Sequence, residues 1–413
     1  MPIILHCDLN NFYASVECVL NPALSRFPVV VAGSPKDRHG VVLAKNQVAK
    51  EMGIKTGDVV WEARQKCPNL ICLPPQFKVY QEFSKRVIEI YSRFTDKIES
   101  FGPDECWLDV THSTKLFGSG EEIANKLRKI VKEETGLTIS VGVSFNKYFA
   151  KLGSDLKKPD ATTIISEQNF KEKIFDLPAN SLIFIGKNTY KHLNKLNIFS
   201  IGDLANANPE LLQQHFGIIG PRMQKIANGE DTSEVGSFEN NYEQKSVGNG
   251  LTTLRDITKQ EEILSVVLVL AEKVAYRMRA LGVSGRTVHF SLRDKNLHFT
   301  GHSQTINTPT NISTEIADVC MQIFDKFWKN KNDLSFRAVR VSVCNLTKTG
   351  NEFEQITFFE DKKRKKIKKL NEAFDKIREK YGYYAVRNAN TMHKDFVNYF
   401  DADKEQNEEN EEL

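Results

Sequence analysis

Acidic residues stand at two places where strands are predicted, and carboxylates are the groups that could hold divalent metal ions. Asp8 ends a short apolar run over 3–8, and Asp104 and Glu105 stand just before a predicted strand over 106–110. Two carboxylates at neighbouring strand ends can chelate Mg²⁺, with substrate phosphates filling the remaining positions. A third carboxylate lets two ions bind close together, which suits phosphoryl transfer. Acids are also common turn residues at strand ends, so this pattern alone leaves the chemistry open.

Sequence patterns that would indicate other chemistry are missing. The chain has no GxxxxGKS/T, GxGxxG or HExxH sequence, which removes the main support for an ATPase, a Rossmann dehydrogenase or a zinc peptidase. The 7 cysteines are scattered and form no CxxC pair, so we expect reduced thiols in a cytosol and no zinc site. Long apolar runs and a basic leader are also missing, so no membrane segment or signal peptide is expected.

Length and charge indicate a multidomain protein with a basic body. A chain of 413 residues with 40% hydrophobic and 27% charged residues predicts two to four globular domains. The net charge is only +4, but residues 401–413 hold seven acids and one lysine. The rest of the chain has 56 basic against 46 acidic residues, which suits a polyanionic partner. We expect the acidic tail to be disordered.

The residue patterns predict the elements that would position these groups. Strands are expected at 3–8, 27–32, 41–44, 106–110 and 137–141, with helices at 77–94 and 121–134, which gives an α/β or α+β sheet with one covered face. Short helices with glycine-containing hairpins follow over 177–228, and a polar linker over 228–241. A β-α-β-β-α-β unit comes next, with elements at 245–254, 260–281, 286–293, 297–305, 312–328 and 336–344.

Three segments in this order resemble the conserved blocks of Y-family DNA polymerases. They are DLNNFYASVE at 8–17, ESFGPDECWLD at 99–109, and SVGVSFNKYFAKLGS at 140–154 followed by KKP at 157–159. The helical hairpins and the β-α-β-β-α-β unit have the matching order, so the likeness covers roughly 2–347. The subgroup that the chain resembles most is the bacterial DinB type.

The resemblance implies an α+β multidomain fold shaped like a right hand. It would have an α/β palm with small fingers over 1–170 (fingers about 20–76), a helical thumb over 171–230, a linker over 231–244 and a β-α-β-β-α-β little finger over 245–348. A clamp-binding segment and basic helix would follow over 349–400, and the disordered tail over 401–413. The implied activity is low-fidelity translesion DNA synthesis without a proofreading exonuclease.

The resemblance also assigns the reaction centre. Asp8, Asp104 and Glu105 would be the catalytic carboxylates and, with the Leu9 carbonyl, the ligands of two Mg²⁺ ions. These would serve transfer of a dNTP to a primer 3′-OH. Tyr13 falls where the family places its steric gate, a ring that excludes the ribose 2′-OH.

Further nucleotide contacts are implied for residues around the gate, in the fingers and in the palm, namely Asn11, Phe12, Lys45, Gln47, Lys50 and Lys158. Two of them depart from the family pattern, in which the fingers carry a Tyr and an Arg. Gln47 replaces the tyrosine and Lys50 replaces the arginine, which keeps the charge but loses the bidentate fork.

The expected macromolecular partners are primer–template DNA and a sliding clamp. Hairpin residues Gly186, Lys187, Gly217 and Gly220 would hold duplex phosphates through backbone amides, and Arg286 and Arg293 would flank a groove. Residues 355–359 resemble the clamp-docking peptide of bacterial polymerases, with Gln355, Phe358 and Phe359 as its anchors. We expect a monomer in the bacterial cytosol, associated with the nucleoid.

Two other classes of protein fit parts of the sequence. A non-catalytic DNA-binding or scaffold protein could keep the fold, but the intact Asp8, Asp104 and Glu105 argue against it. A nucleotide cyclase also uses paired carboxylates on a palm-type sheet. A cyclase needs no grip on a duplex, so the helical hairpins and the second α+β unit argue against that class.

Overall fold

The computed structural model of the chain describes residues 2–34, 40–236, 244–329, 335–349 and 362–386. It divides into two compact units, one formed by Met1–Gly33 with Val41–Asn241 and the other by Ser34–Gly40 with Tyr242–Leu413. The seven cysteines all fall in the described ranges, and each is a free thiol. Within the same ranges, no helix is long and apolar enough to cross a membrane.

The first unit begins with alternating strands and helices and continues into a series of short helices. In chain order its elements are β1 (Ile4–Leu9), α1 (Phe12–Leu20), a 3-10 helix (Pro22–Arg26), β2 (Val29–Ala32), β3 (Val42–Lys45), α2 (Gln47–Glu51), α3 (Val60–Lys66), β4 (Ile71–Leu73), α4 (Phe77–Ser92), β5 (Ile98–Ser100), β6 (Glu105–Asp109), α5 (Thr114–Phe117), α6 (Gly120–Thr135), β7 (Ile139–Ser144), α7 (Lys147–Leu156), β8 (Thr162–Ile165), α8 (Phe170–Ile174), a 3-10 helix (Ala179–Ser181), α9 (Lys187–Lys195), α10 (Ile201–Asn206), α11 (Pro209–Phe216) and α12 (Ile219–Ala227).

A five-stranded sheet in the order β5-β6-β1-β7-β8 forms the centre of this unit. Strand β1 is buried along its whole length and runs antiparallel to both β6 and β7. Its odd-numbered side chains Leu5, Cys7 and Leu9 join the core that helices α4 and α6 cover. Helix α6 has well-defined ends, because Ser119 and Glu122 form a capping box and Gly136 closes it in the left-handed conformation.

Helix α7 covers the opposite face of the sheet, so the prediction of one covered face is wrong. The helix lies so close that a Cβ on Gly142 would stand 1.9 Å from the Ala150 carbonyl oxygen and 2.5 Å from the Ser154 nitrogen. A Cβ on Gly153 would likewise stand 3.1 Å from the Gly142 Cα. Two glycines therefore let α7 approach the strand backbone, and apolar periodicity does not reveal this contact.

Two smaller groups of elements complete the first unit. Strands β3, β2 and β4 form a three-stranded sheet that shares a core with α2 and α3, in the region predicted as fingers. The Asn46 side chain caps α2 by accepting a hydrogen bond from the Ala49 amide. Helices α8 to α12 share a separate apolar core with part of α7. The first residues of the predicted linker also lie on this unit, where Val235 is buried beside Trp107.

The second unit has the predicted β-α-β-β-α-β order. Its four-stranded antiparallel sheet has the order β11-β10-β12-β9, and helices α13 and α14 share its core. Helix α15 contacts α13 and α14 through ion pairs from Arg279 to Asp375 and from Arg364 to Glu315. The clamp-docking segment 355–359 lies outside the described residues. The elements are β9 (Ser246–Ile257), α13 (Gln260–Ala280), β10 (Val283–Asp294), β11 (Phe299–Thr310), α14 (Ser313–Phe327), β12 (Phe336–Lys348), α15 (Lys362–Tyr381) and a 3-10 helix (Tyr383–Ala385).

Candidate active site

The three acids singled out from the sequence meet at one end of the β1–β6 pair. Asp8 stands directly opposite Glu105 in the antiparallel register, which puts both side chains on the same face of the sheet. Asp104 lies in the turn before β6, and its carbonyl accepts a hydrogen bond from the Leu9 amide at 2.9 Å. The strand begins at Glu105 and not at 106 as predicted, because Glu105 takes part in the pairing.

Two lysines place their ammonium groups among these carboxylates. Lys151, on the face of α7 that meets the sheet, has its Nζ 2.9 Å from a Glu105 oxygen and 3.3 Å from Asp8 Oδ2. Lys158 follows α7, and its Nζ lies 2.9 Å from both Asp8 Oδ2 and Asp155 Oδ1. Lys158 was predicted as part of the site, whereas Lys151 was not, although its position inside the third of the family-like segments, 140–154, was an available signal.

Burial and the close spacing of these charges together move the pKa values of Asp104 and Glu105 in opposite directions. Burial, followed by the negative charges of Asp8 and Glu105, raises the pKa of Asp104 to about 6. Burial also opposes ionisation of Glu105, but the His6 ring and the Lys151 ammonium outweigh it and lower its pKa to about 2. Burial lowers the pKa of Lys151, but the carboxylates around it, Asp155 foremost, outweigh that effect and raise it.

A buried histidine lies behind Glu105 and was not predicted as part of the site. The His6 side chain is fully buried, and its Nδ1 is 2.8 Å from Ser154 Oγ on α7. Its Nε2 faces Glu105 Oε2 at 3.4 Å, and the Trp107 ring packs against it edge-on. Burial lowers the pKa of His6, which favours the neutral ring. His6 thus joins the β1 face, the α7 helix and the Glu105 carboxylate.

An aromatic stack lies beside the carboxylates at the start of α1. Tyr13 packs face to face on Tyr80 of α4, with ring centroids 4.3 Å apart and planes 14° apart. The Tyr80 hydroxyl donates a 2.5 Å hydrogen bond to buried Glu17, which fixes the Tyr80 ring in the stack. Burial and then the Asp104 charge raise the pKa of Tyr13, so its hydroxyl is neutral. Tyr80, on which Tyr13 rests, was not predicted, since it is distant from Tyr13 in sequence.

The backbone around this stack is also fixed by polar contacts. Asn11 precedes α1 with φ 52°, a left-handed conformation that asparagine tolerates, and Phe12 is buried next to it. The Asn10 side chain donates to Ser140 Oγ at 2.9 Å and accepts from the Asp160 amide at 2.8 Å. Asn10 therefore ties β1 to β7 and to the segment that carries Lys158.

Comparison with known proteins gives a consistent result over nearly the whole chain. Residues 7–155 match the model of the impB/mucB/samB family, and residues 244–358 match the model of that family's C-terminal domain. A DNA polymerase IV from Acetivibrio thermocellus is 47% identical over 93% of this chain and 96% of its own length. Another from Pelotomaculum thermopropionicum is 38% identical over 94% of each chain. A DNA polymerase IV 1 from Bacillus subtilis is 34% identical over 95% of this chain and 94% of its own.

The chain belongs to the Y family of DNA polymerases. The fold agrees, because a solved Y-family DNA polymerase chimera matches with a TM-score of 0.73 at 24% identity, covering 84% of this chain and all of the other. Family membership makes the protein a DNA-directed DNA polymerase of the translesion class, with DNA and dNTPs as substrates. It does not favour a non-catalytic scaffold or a cyclase.

Membership of this family implies use of a divalent metal, and the donor chemistry of the site fits one. The three carboxylates are hard oxygen donors, the kind that divalent ions such as Mg²⁺ prefer. Burial and then the charges of Asp8 and Glu105 raise the pKa of Asp104, and a bound cation would offset those negative charges. Across the described ranges, however, no three His, Cys, Asp or Glu side chains are already arranged to hold an ion. Lys151 and Lys158 supply the positive charge there instead.

The predicted finger residues of this polymerase lie around the end of β3. The Lys45 Nζ donates to Thr56 Oγ1 at 3.1 Å, and burial together with the Lys50 charge lowers its pKa. Gln47 is the first residue of α2, where its amide donates to Glu51 at 3.1 Å while its oxygen is buried without a hydrogen bond. Lys50 is exposed on the same helix.

The predicted DNA-contacting residues fall at several kinds of position. Gly186 caps α9 with open space around it, and Lys187 begins that helix. Gly217 closes α11 at φ 62°, whereas Gly220 lies inside α12, where a Cβ would stand 2.2 Å from the Leu212 carbonyl oxygen. Gly220 therefore has a packing role between the two helices.

The two predicted arginines of the second unit both lie on β10. Arg286 is exposed at the shift in register between Gly285 and Thr287. Arg293 donates to the Leu297 carbonyl at 3.2 Å and lies over the Phe299 ring at 5.2 Å.

Proposed function

We propose that Asp8, Asp104 and Glu105 carry the nucleotidyl transfer of this polymerase and hold two Mg²⁺ ions. The observation that supports this is the convergence of three carboxylates where β1 ends and β6 begins, with Asp8 opposite Glu105. The Leu9 carbonyl is a further oxygen ligand in this proposal. When bound, the ions would activate the primer 3′-hydroxyl and neutralise the triphosphate.

Residues of the chain itself would prepare the site for these ions and for the nucleotide. His6 and Lys151 keep Glu105 ionised, so that its oxygens remain available as ligands. The Lys158 Nζ lies 2.9 Å from Asp8 Oδ2. When metal ions bind the carboxylates, this ammonium group would be free to contact the triphosphate. Lys45, Gln47 and Lys50 would contact the nucleotide from the fingers, with Asn11 and Phe12 contacting it from the palm.

Single-nucleotide incorporation on a primer–template tests the carboxylate roles. Asp104→Asn and Glu105→Gln should each lower the rate by roughly 100-fold or more while leaving DNA binding intact. Asp109→Asn is the matched control, because Asp109 ends the same strand away from the site and should retain activity. An Asp104→Asn variant with full activity would remove these residues from the reaction.

We propose that Tyr13 is the steric gate of this polymerase. The support is its position beside Asp104 on a fixed stack, which leaves the ring little freedom to move away from a 2′-hydroxyl. Tyr13→Ala should admit ribonucleotides while dNTP incorporation remains measurable. Unchanged selection between dNTPs and rNTPs in this variant would remove Tyr13 from the role.

The grip on DNA would come from the hairpin residues Gly186, Lys187, Gly217 and Gly220 and from Arg286 and Arg293. Such phosphate contacts are sequence-blind and depend on salt. We further propose that the chain acts as a monomer, copies with low fidelity and lacks a proofreading exonuclease, since no further segment carries exonuclease-like acids. Its site of work would be the bacterial nucleoid in the cytosol, where the DNA substrate lies.

Gln355, Phe358 and Phe359 are proposed to dock on the sliding clamp. The support is the sequence QITFF, in which a glutamine can fix the register and two aromatics can fill an apolar pocket. Changing both phenylalanines to alanine should abolish clamp-stimulated synthesis and spare primer extension without the clamp. Surviving stimulation would place the docking site elsewhere.

A further inference from the structure

Four aromatic rings form a partly exposed cluster next to the carboxylates. Phe184 is 69% exposed, and its ring meets Phe101 and Tyr148 edge-on at centroid distances of 6.3 and 6.1 Å. Phe101 is 41% exposed and packs against Trp107 at 4.9 Å. The cluster thus offers two accessible rings, Phe184 and Phe101, supported from below by two buried ones.

Phe184 has a backbone conformation that its residue type rarely adopts. Its φ of 72° lies in the left-handed region, which glycine, asparagine and aspartate tolerate and other residues avoid. The ring gains little from packing in return, because most of it faces solvent. The needs of folding therefore do not explain a phenylalanine here, and such an outlier points to a function.

The position of the cluster identifies what the exposed rings can meet. The Phe101 amide donates to the Glu105 carbonyl at 2.8 Å, so one edge of the cluster lies against the start of β6. At the other edge, Lys187 follows Phe184 by three residues and is exposed, and the Arg222 guanidinium donates to the Tyr148 hydroxyl at 3.3 Å. Apolar rings beside cationic groups, leading away from the carboxylates, suit a sugar–phosphate chain that ends at the reaction centre.

We propose that Phe184 and Phe101 form a platform for the primer strand just behind its 3′ end. The rings would pack on the apolar faces of the deoxyriboses, while Lys187 and Arg222 attract the phosphates between them. This rests on the proposed function, since it needs the primer 3′ end at the carboxylates. The strained Phe184 backbone is then retained because the ring binds substrate.

The test compares variants of Phe184 in the full-length protein by DNA affinity and thermal unfolding. Phe184→Asn suits the left-handed backbone, so the melting temperature should stay the same or rise, while the Kd for a primer–template should weaken roughly 5-fold or more. Phe184→Tyr keeps a ring and should bind within about 2-fold of the parent, because the ring that packs on the deoxyriboses is still present. Phe199→Ala is the matched control, since that ring is 51% exposed but lies beyond the opposite end of α9.

Several results would overturn the platform. Phe184→Asn that binds DNA as the parent does would show that the ring touches no substrate, and a lowered melting temperature would make the ring a packing element. Equal weakening by Phe199→Ala would show a non-specific surface effect. The proposed function has its own test, because Asp104→Asn should lose nucleotide incorporation and keep its DNA affinity. Phe184→Asn, in contrast, should lose DNA affinity.

Discussion

The stack under Tyr13 gives a quantitative prediction for sugar selection. Tyr80→Leu removes the ring on which Tyr13 rests at 4.3 Å and leaves the gate residue itself in place. A stacked aromatic pair contributes about 0.5–1.5 kcal/mol beyond its buried area. If that energy holds Tyr13 in position, its loss lowers discrimination against ribonucleotides by roughly 2- to 12-fold.

The assay is the ratio of kcat/KM for a dNTP to that for the matching rNTP on one primer–template. Tyr80→Phe is the control, because it keeps the ring and removes only the hydroxyl that donates to Glu17. Its discrimination should match the parent, although its stability should fall by about 1 kcal/mol through the lost hydrogen bond.

Two outcomes would refute this reasoning. Unchanged discrimination in Tyr80→Leu, with a strong effect of Tyr13→Ala, would show that Tyr13 keeps its position without the stack. A loss of discrimination in Tyr80→Phe as large as in Tyr80→Leu would assign the effect to the Glu17 contact and not to the ring.

Three further predictions concern stability and DNA binding. Gly142→Ala places a Cβ 1.9 Å from the α7 backbone and should lower the melting temperature by roughly 5–10 °C, whereas Gly186→Ala, with nothing within 4 Å, should leave it unchanged. Burial opposes ionisation of Asp160, but hydrogen bonds from Lys132 and Arg128 outweigh it and lower the pKa below its ordinary value of 3.8. The stabilisation from this carboxylate is therefore present above pH 3.8 and is lost as the pH falls through the pKa of the folded protein. Asp160→Asn should consequently lose less of its free energy of unfolding between pH 7 and pH 3, as measured by denaturant titration. The affinity for duplex DNA, measured by fluorescence anisotropy, should fall steeply as the salt concentration rises. An affinity that does not change with salt would contradict binding through the DNA phosphates.

Much of the fold was predictable because its signals are local. The strand ends could be read from apolar runs, since Asp8 ends one such run and Asp104 stands just before another. The β-α-β-β-α-β order of the second unit follows from alternating patterns. Capping residues also mark helix ends directly, as Ser119 and Gly136 do for α6. Chain order and element type therefore follow from the residues themselves.

The parts that could not be predicted depend on contacts between distant segments. Lys151 reaches Asp8 across 143 positions, and Tyr80 reaches Glu17 across 63, so no sequence window contains either pair. The second covered face of the sheet depends on Gly142 lacking a side chain, and a glycine in a strand carries no sign of what lies above it. The left-handed backbone of Phe184 is likewise hidden, because its residue type argues against it.

Counting bound cations in the catalytic complex tests the proposed carboxylate centre most directly. The full-length protein would be assembled with a primer lacking a 3′-hydroxyl, its template and the next dNTP, and Mn²⁺ would be titrated as a paramagnetic substitute for Mg²⁺. If Asp8, Asp104 and Glu105 are the ligands, electron paramagnetic resonance should report two bound Mn²⁺ ions per complex, and fewer in Asp8→Asn. Two ions bound equally by the parent and by Asp8→Asn would contradict this assignment.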